Sequence, residues 1–374
     1  MGHSNKENER RLALDPRHLS RIPEELRPGI FLEHGYGATF GFAEQDLAEW
    51  VGGFGTHAEL VTECDVILQP KPVLEDIAEL RPGQVFWGWP HCVQDAQLTQ
   101  LAIDKSLTVI AFEAMNHWNA DGSFSLHVFH KNNELAGYAS VLHALQLTGT
   151  DGHYGRRLSA VVIGFGATAR GAVTALNGLG INDVDVLTHR GVEAVAAPIH
   201  SARMVHFEND VGLTGPEDAL ANGNPEPVAA FLAGHDIIVN CSLQDPLAPM
   251  MFLTEDDLAS MASQTLIVDV SCDAGMGFSW ARPTTFDEPI IRVGPGIAYY
   301  AVDHSPSHLW ASATLENSSA LLPFLGVVMA GPASWVGDDT IARAIEIRDG
   351  VIQNPSILRF QGRSWAYPHG LIAS

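Results

Sequence analysis

A chain of 374 residues exceeds the size at which one hydrophobic core usually keeps growing, so two domains are expected. With 44 Asp+Glu against 21 Lys+Arg, the formal net charge is -23, which argues against nucleic acid or an anionic membrane as a partner because both would repel it. No signal-peptide core and no run of about 18 apolar residues is found, and Cys64, Cys92, Cys241 and Cys272 form no CxxC pair. A cytoplasmic protein without a zinc or disulfide framework is therefore expected.

In chain order, the first notable stretch is KENERRLALDP (6–16), where Arg10 and Arg11 stand before a short apolar run. The segments GIFLEHGYG (29–37), CDVILQPKP (64–72), QVFWGWPH (84–91) and LTVIAFEAM (107–115) read as strands or strand ends. Helical stretches such as AEQDLAEWVG (43–52) fall between them, which predicts an α/β domain over 1–130. LSAVVIGFG (158–166) then opens a second alternation. ATARGAVTALNGLG (167–180) has helical spacing and stops at Gly180. The next strands are VDVLTHR (184–190), HDIIVNCSL (235–243), TLIVDVSCD (265–273) and PIIRVG (289–294). Their Val- and Ile-rich runs predict a doubly wound parallel sheet covered on both faces over 131–307. The C-terminal part, 308–374, carries one long predicted helix, HLWASATLENSSALLPFLGVVM (308–329), and is expected to return to the first domain. The fold class is thus α/β, with two Rossmann-like domains, parallel sheets and an active-site cleft expected between them. Periodicity is poor over 191–227 and the last 35 residues.

IGFGATARG (163–171) follows a strand and opens a helix, which is the context of a dinucleotide-binding turn. Gly164 would permit the tight turn, Gly166 the close approach of a pyrophosphate, and Ala169 the packing of helix on strand. The helix N-terminus supplies N–H groups to the phosphates. A glycine-rich turn that binds nothing would look similar. NAD enzymes usually carry an acid at the end of the second strand. Here Thr188, His189 and Arg190 stand instead, and Arg190 can pair with a 2′-phosphate. NADPH is therefore preferred over NADH, and His189 joins Arg190 among the cofactor-binding candidates. Ser242, at the end of HDIIVNCSL, and His304 complete that set.

Four more polar groups stand out. Arg11 precedes LALDP, Lys71 lies in QPKP, His91 follows GWP, and Asp273 follows LIVDVSC. Loops after the carboxyl ends of strands are where open α/β folds bind ligands. Each residue alone also has an ordinary reading, as a surface charge, a hydrogen-bonded histidine or a cap. Together they supply two cations for an anionic substrate, one group titrating near neutrality and one carboxylate. His304 and His308 are spaced i,i+4, but Pro306 between them opposes a regular helix, so no metal site is predicted. Trp87 and Trp89 alternate on a strand and are expected to pack.

These residues also carry a resemblance. NERRLALDP, QPKP, GWPH and VDVSCDAG followed by ARPTTFDEP resemble motifs of the alanine dehydrogenase and transhydrogenase superfamily, over nearly the whole chain. The resemblance implies that Arg11 and Lys71 bind a substrate carboxylate or carbonyl, that His91 is the acid/base, and that Asp273 sits near the nicotinamide. Within it, the ERR doublet, GW-x-H, KNNELAGYASVLHAL (131–145), Arg190 and YYAVDHSPS (299–307) look most like the carboxyethylornithine synthase branch. That branch implies NADPH-dependent reduction of an imine formed from a 2-oxo acid and the side-chain amine of ornithine or lysine, in a homo-oligomer. His304 stands where the family has an Asn near the nicotinamide. The strand that usually precedes the arginine motif is short, and MGHS reads as its last residues. Two other readings stand beside this one: alanine dehydrogenase-type deamination, and an NADPH-binding sensor without catalysis.

Overall fold

A computed structural model describes residues 1–189, 201–207, 227–245 and 247–372. The chain forms two compact units, Met1–His130 with Trp310–Ser374, and Lys131–Leu309. Each is α/β and is built on its own sheet.

The first unit contains a five-stranded sheet in the order Val351–Ile352, Ile345–Arg348, Thr108–Ala111, Val85–Gly88, Val66–Leu68. The last three strands run parallel, and Ile345–Arg348 lies antiparallel to Thr108–Ala111. Period-2 alternation divides the three parallel strands between two apolar layers, and a register irregularity between Ile345 and Ile347 sends those two residues to opposite layers. Leu68, Trp87, Ile110 and Ile345 enter one, and Ile67, Phe86, Val109 and Ile347 enter the other. A separate parallel pair joins Phe31–Glu33 to Gly53–Gly55. The run after Arg11 forms no strand. Leu12 donates its N–H to Thr314 Oγ1 at 3.0 Å, and Leu14 exchanges two hydrogen bonds with the Tyr36 hydroxyl.

The long helix expected over 308–329 is broken. Helix Trp310–Leu321 gives way to a 3-10 turn at Leu322–Phe324, then to helix Leu325–Met329. Pro323 has no N–H to donate to the turn before it, which is why regular helix does not run through.

The second unit holds a seven-stranded sheet in the order Arg203–His206, Asp183–Thr188, Ser159–Ile163, Ile237–Asn240, Leu266–Asp269, Ile297–Tyr300, Ile290–Val293. The first six strands are parallel, and Ile290–Val293 closes the edge antiparallel. Val162, Val186, Val239 and Val268 face one layer, while Val161, Leu187, Ile238 and Ile267 face the other. A sheet buried on both faces needs apolar residues at successive positions, which is what these runs supply. The order reverses between Ser159–Ile163 and Ile237–Asn240, making that point the topological switch. Helix Ala167–Gly178 ends where the pattern predicts, with Gly180 at φ +80° and the Ile181 N–H returned to the Leu176 carbonyl.

That helix crosses His130–Thr148 at two glycines. A Cβ on Gly171 would lie 1.8 Å from the Glu134 carbonyl oxygen, and one on Gly137 would lie 1.9 Å from the Thr168 carbonyl oxygen. Backbone on both sides leaves nothing that can swing away. Alanine at position 171 gains about 1 kcal/mol of helix propensity but must separate the two helices, and overpacking of this kind costs about 1–3 kcal/mol or more. Gly171→Ala is expected to destabilise the second unit by about 2 kcal/mol, read as a lower urea midpoint at unchanged slope. An unchanged midpoint would show that the crossing tolerates the methyl group.

Candidate functional site

In the first unit, three successive parallel strands end side by side, and the loops after them carry Lys71, His91 and Glu113. The Trp89 N–H donates to the Pro70 carbonyl at 2.8 Å, tying the Lys71 loop to the His91 loop. The His91 N–H donates to Glu113 Oε1 at 2.7 Å, tying the second loop to the third. His91 adopts φ +50°, a region sparsely populated by non-glycine residues, so this hydrogen bond holds it in an unfavourable backbone state. Its Nδ1 lies 3.8 Å from the same carboxylate oxygen, and 43% of its side chain remains exposed. A half-exposed imidazole on a tethered backbone can both exchange protons and keep its aim.

Arg11 approaches the same loop from the N-terminal segment, its guanidinium lying over the Trp89 ring at 5.0 Å. Trp89 is buried and packs edge-on against Phe112 at 4.9 Å, so it is a fixed platform. Its role is larger than the packing expected of it. One edge of the guanidinium, Nε and Nη2, is taken by Glu9, whose side chain is fully buried. Glu9 also accepts the Arg11 N–H at 2.9 Å. The carboxylate compensates the buried charge and fixes the plane of the fork. Lys71 raises the local positive potential further and favours ionisation of Glu113. Burial and the nearby Glu346 outweigh it, and the Glu113 carboxyl is pushed up to about 8. Glu9, Glu113 and Glu346 were not singled out from the sequence. Glu113 had the signal used for Lys71 and His91, a polar residue just past an apolar strand.

In the second unit, the turn after Ser159–Ile163 has the form required for a dinucleotide. Gly164 sits at φ +103°, and a Cβ there would come within 2.9 Å of the Cys241 carbonyl oxygen, so both conformation and space demand glycine. Gly166 precedes the first residue of helix Ala167–Gly178, and a Cβ on it would meet nothing within 4 Å. This open cradle above a twelve-residue helix fits a pyrophosphate. Ala169 is fully buried where the helix packs on the sheet.

Ser242 lies beside that turn, its hydroxyl donating to Asn240 Oδ1 at 2.7 Å and accepting from Gln244 Nε2 at 3.1 Å. His189 is exposed at the end of Asp183–Thr188, 5.9 Å ring to ring from Phe207, and Arg190 lies outside the described residues. Asp273 follows Cys272, which adopts φ +45° and donates its N–H to Asp269 Oδ1 at 3.1 Å. Burial raises the Asp273 carboxyl above the usual range. Burial likewise pushes Asp269 up to about 6, although Tyr299, Cys272 and Asn240 all donate to it. His304 is buried, bonded to Asp303 and packed on Phe286 at 4.6 Å. His308 packs on the same ring at 4.4 Å, so both histidines pair with an aromatic. Among the described residues no group of three or more His, Cys, Asp or Glu is placed to hold a metal ion, and no helix is long and apolar enough to cross a membrane.

The sequence matches the alanine dehydrogenase/PNT N-terminal domain over residues 4–136 and the alanine dehydrogenase/PNT C-terminal domain over 147–355. It is 24% identical to alanine dehydrogenase of Bacillus subtilis (strain 168), over 91% of this chain and 88% of that protein. Identity to alanine dehydrogenase of Geobacillus stearothermophilus is 23%, over 98% of this chain and 97% of that one. Among solved structures, an L-alanine dehydrogenase superposes with a TM-score of 0.72 at 18% identity, covering 96% of this chain and 99% of its own. A transhydrogenase from Sinorhizobium meliloti does so with 0.67 at 20% identity, covering 95% and 99%.

The Glu9–Arg11 pair yields a direct test. Glu9→Ala removes the carboxylate from a buried guanidinium and is expected to cost about 3 kcal/mol. Glu9→Ala with Arg11→Met removes the charge as well and is expected to be the more stable of the two in urea titration. Equal or greater loss in the double variant would mean that charge compensation is not what Glu9 provides.

Proposed function

We propose that this chain, which belongs to the alanine dehydrogenase/PNT family of pyridine-nucleotide-dependent oxidoreductases, reduces the imine formed between a 2-oxo acid, with pyruvate preferred, and the side-chain amine of ornithine or lysine, as carboxyethylornithine synthase does. The observation that carries the reading is the guanidinium of Arg11, held on Trp89 by a buried carboxylate in the same unit as Lys71 and His91. A cation fixed at such cost in an acidic chain suits a carboxylate-bearing substrate.

Arg11 binds the carboxylate of the oxo acid, and Lys71 polarises its carbonyl. His91 moves protons as the amine adds and water leaves, because its imidazole is half-exposed and its backbone is tethered. Gly164, Gly166 and Ala169 fit the pyrophosphate of a dinucleotide, whose reduced nicotinamide supplies the hydride when bound. Ser242, His189 and His304 follow the ends of strands in the same unit and would contact that cofactor. Asp273 orients its nicotinamide end and attracts a cationic amine. NADPH is preferred to NADH because no acid ends the second strand, and Thr188, His189 and Arg190 stand there in its place.

A second reading is favoured by the names of the relatives: reversible deamination of a small amino acid, with ammonia as the amine. Assays of pyruvate and NADPH with ornithine, lysine or ammonia separate the two. Turnover with a diamino acid supports the imine reading, and turnover with ammonia alone overturns it. No turnover with any pair, together with NADPH binding, would leave a nucleotide sensor. Arg11→Ala is expected to remove turnover while the fold persists by circular dichroism. His91→Gln is expected to lower kcat about a hundred- to ten-thousand-fold. Turnover unchanged in either variant would remove that residue from its role.

A further inference from the structure

Two carboxyl groups in the first unit share an unusual situation. Glu113 Oε1 accepts the His91 N–H at 2.7 Å, yet Oε2 of the same group is sealed from solvent and meets no donor. Glu346 Oε1 accepts from Asn354 Nδ2 at 2.9 Å, the Cys92 thiol next to His91 also bonds the carboxyl, and Oε2 is sealed from solvent. Glu346 stands on a strand beside the one that leads into Glu113, and Glu113 lies in the 3-10 turn Phe112–Ala114. Ile345 of Ile345–Arg348 pairs with Ile110 of Thr108–Ala111, a register irregularity falls at Glu346, and Glu113 follows two residues after Ala111. Two ionised carboxylates, each with an oxygen sealed from solvent, repel one another and lose their hydration.

The surroundings offer little positive charge. His127 packs against Glu113 from the strand Phe124–His127. Its Nδ1 accepts the Phe129 N–H, so Nε2 carries the hydrogen and donates to the Glu113 carbonyl at 3.2 Å. Burial holds this ring neutral, down to about 4. The Cys92 thiol is buried beside Glu346 and pushed well above the ordinary thiol range by that burial. Among the described residues, Lys71 and His91 face Glu113 as cations, and His91 is one only when protonated.

We infer that Glu113 and Glu346 form a buried acid pair that retains one proton at neutral pH and thereby sets the charge beside His91, Glu113 acting as its positioning residue. The importance of this for catalysis rests on the proton-transfer role given to His91 above. With the proton on Glu113, His91 has a neutral neighbour. When the pair loses it, a carboxylate stands 3.8 Å from Nδ1 and strengthens the imidazole's hold on its own proton.

The test is titration of His91 by NMR in protein labelled at histidine Cε1, the signal being assigned by its loss in His91→Asn. Glu346→Gln removes the like charge, so Glu113 ionises at lower pH and the His91 midpoint is expected to rise by about one pH unit. Glu113→Gln cannot ionise, so no rise is expected, and the double variant is expected to match it. A structural role for Glu346 would alter stability without making the His91 midpoint depend on Glu113. No rise in Glu346→Gln, or a rise that persists in the double variant, overturns the inference. Should Glu346→Gln fail to fold, infrared spectra of the unaltered protein labelled with carboxyl-13C glutamate decide. A protonated-carboxyl band at neutral pH, absent from Glu113→Gln, is expected, and its absence from the unaltered protein overturns the proposal. Neither measurement uses a substrate, so failure of the imine reading would show in the turnover assays alone.

Discussion

Parallel strand pairing is the constraint on which the rest depends. Strands that run the same way end on the same edge, so loops distant in sequence become neighbours without further design. In the first unit this brings together the loops carrying Lys71, His91 and Glu113, which follow strands Val66–Leu68, Val85–Gly88 and Thr108–Ala111. In the second it aligns the ends of Ser159–Ile163 and Ile237–Asn240, so that Gly164 lies against Cys241 and Ser242. Each polar loop is then held by a sheet buried on both faces, and the site inherits the rigidity of that core.

Charge buried at these edges is compensated unequally. Arg11 has a carboxylate matched to its fork and an aromatic face below it. Asp269 receives three donors, from Asn240, Cys272 and Tyr299, and burial still lifts it. Glu113 and Glu346 each have an oxygen sealed from solvent. A fully compensated group is fixed in one state. An under-compensated one changes state with pH, and such groups gather at functional sites. Glu113 belongs to the second kind, and it is hydrogen-bonded to the backbone of His91.

Much of this could be read from the residues. The glycine turn was legible because Gly164, Gly166 and Ala169 sit between an apolar strand and a helical run, and the structure finds a positive φ at the first and an open helix N-terminus at the second. The sheet runs were legible through their Val and Ile content. Strand Ile297–Tyr300 was not, because its short IAYY run follows the turn residues of GPG and precedes no helix signal. Strand Arg203–His206 mixes charge with apolar residues on the sheet edge and gives no clean period. The break at Pro323 was written in the sequence but outweighed by apolar spacing on either side. Glu9 escaped notice because adjacency to arginines reads as surface charge, and only burial reveals the clamp. Glu346 escaped because a lone Glu in an alternating strand is ordinarily solvent-facing, and here a register irregularity falls at its position.

The two units use the same local device, which periodicity alone cannot show. In each, a carboxylate near a strand end accepts the N–H of a non-glycine residue at positive φ. Glu113 does this for His91 at φ +50°, and Asp269 does it for Cys272 at φ +45°. The left-handed backbone costs about 1 kcal/mol or more, and the hydrogen bond to the carboxyl oxygen offsets about that much. The result is a left-handed bend just past each strand. His91 is itself the bent residue, whereas Asp273 is the residue just past the bend. In both units a buried acid thus fixes the backbone at, or just before, a candidate site residue. Burial raises both of these acids.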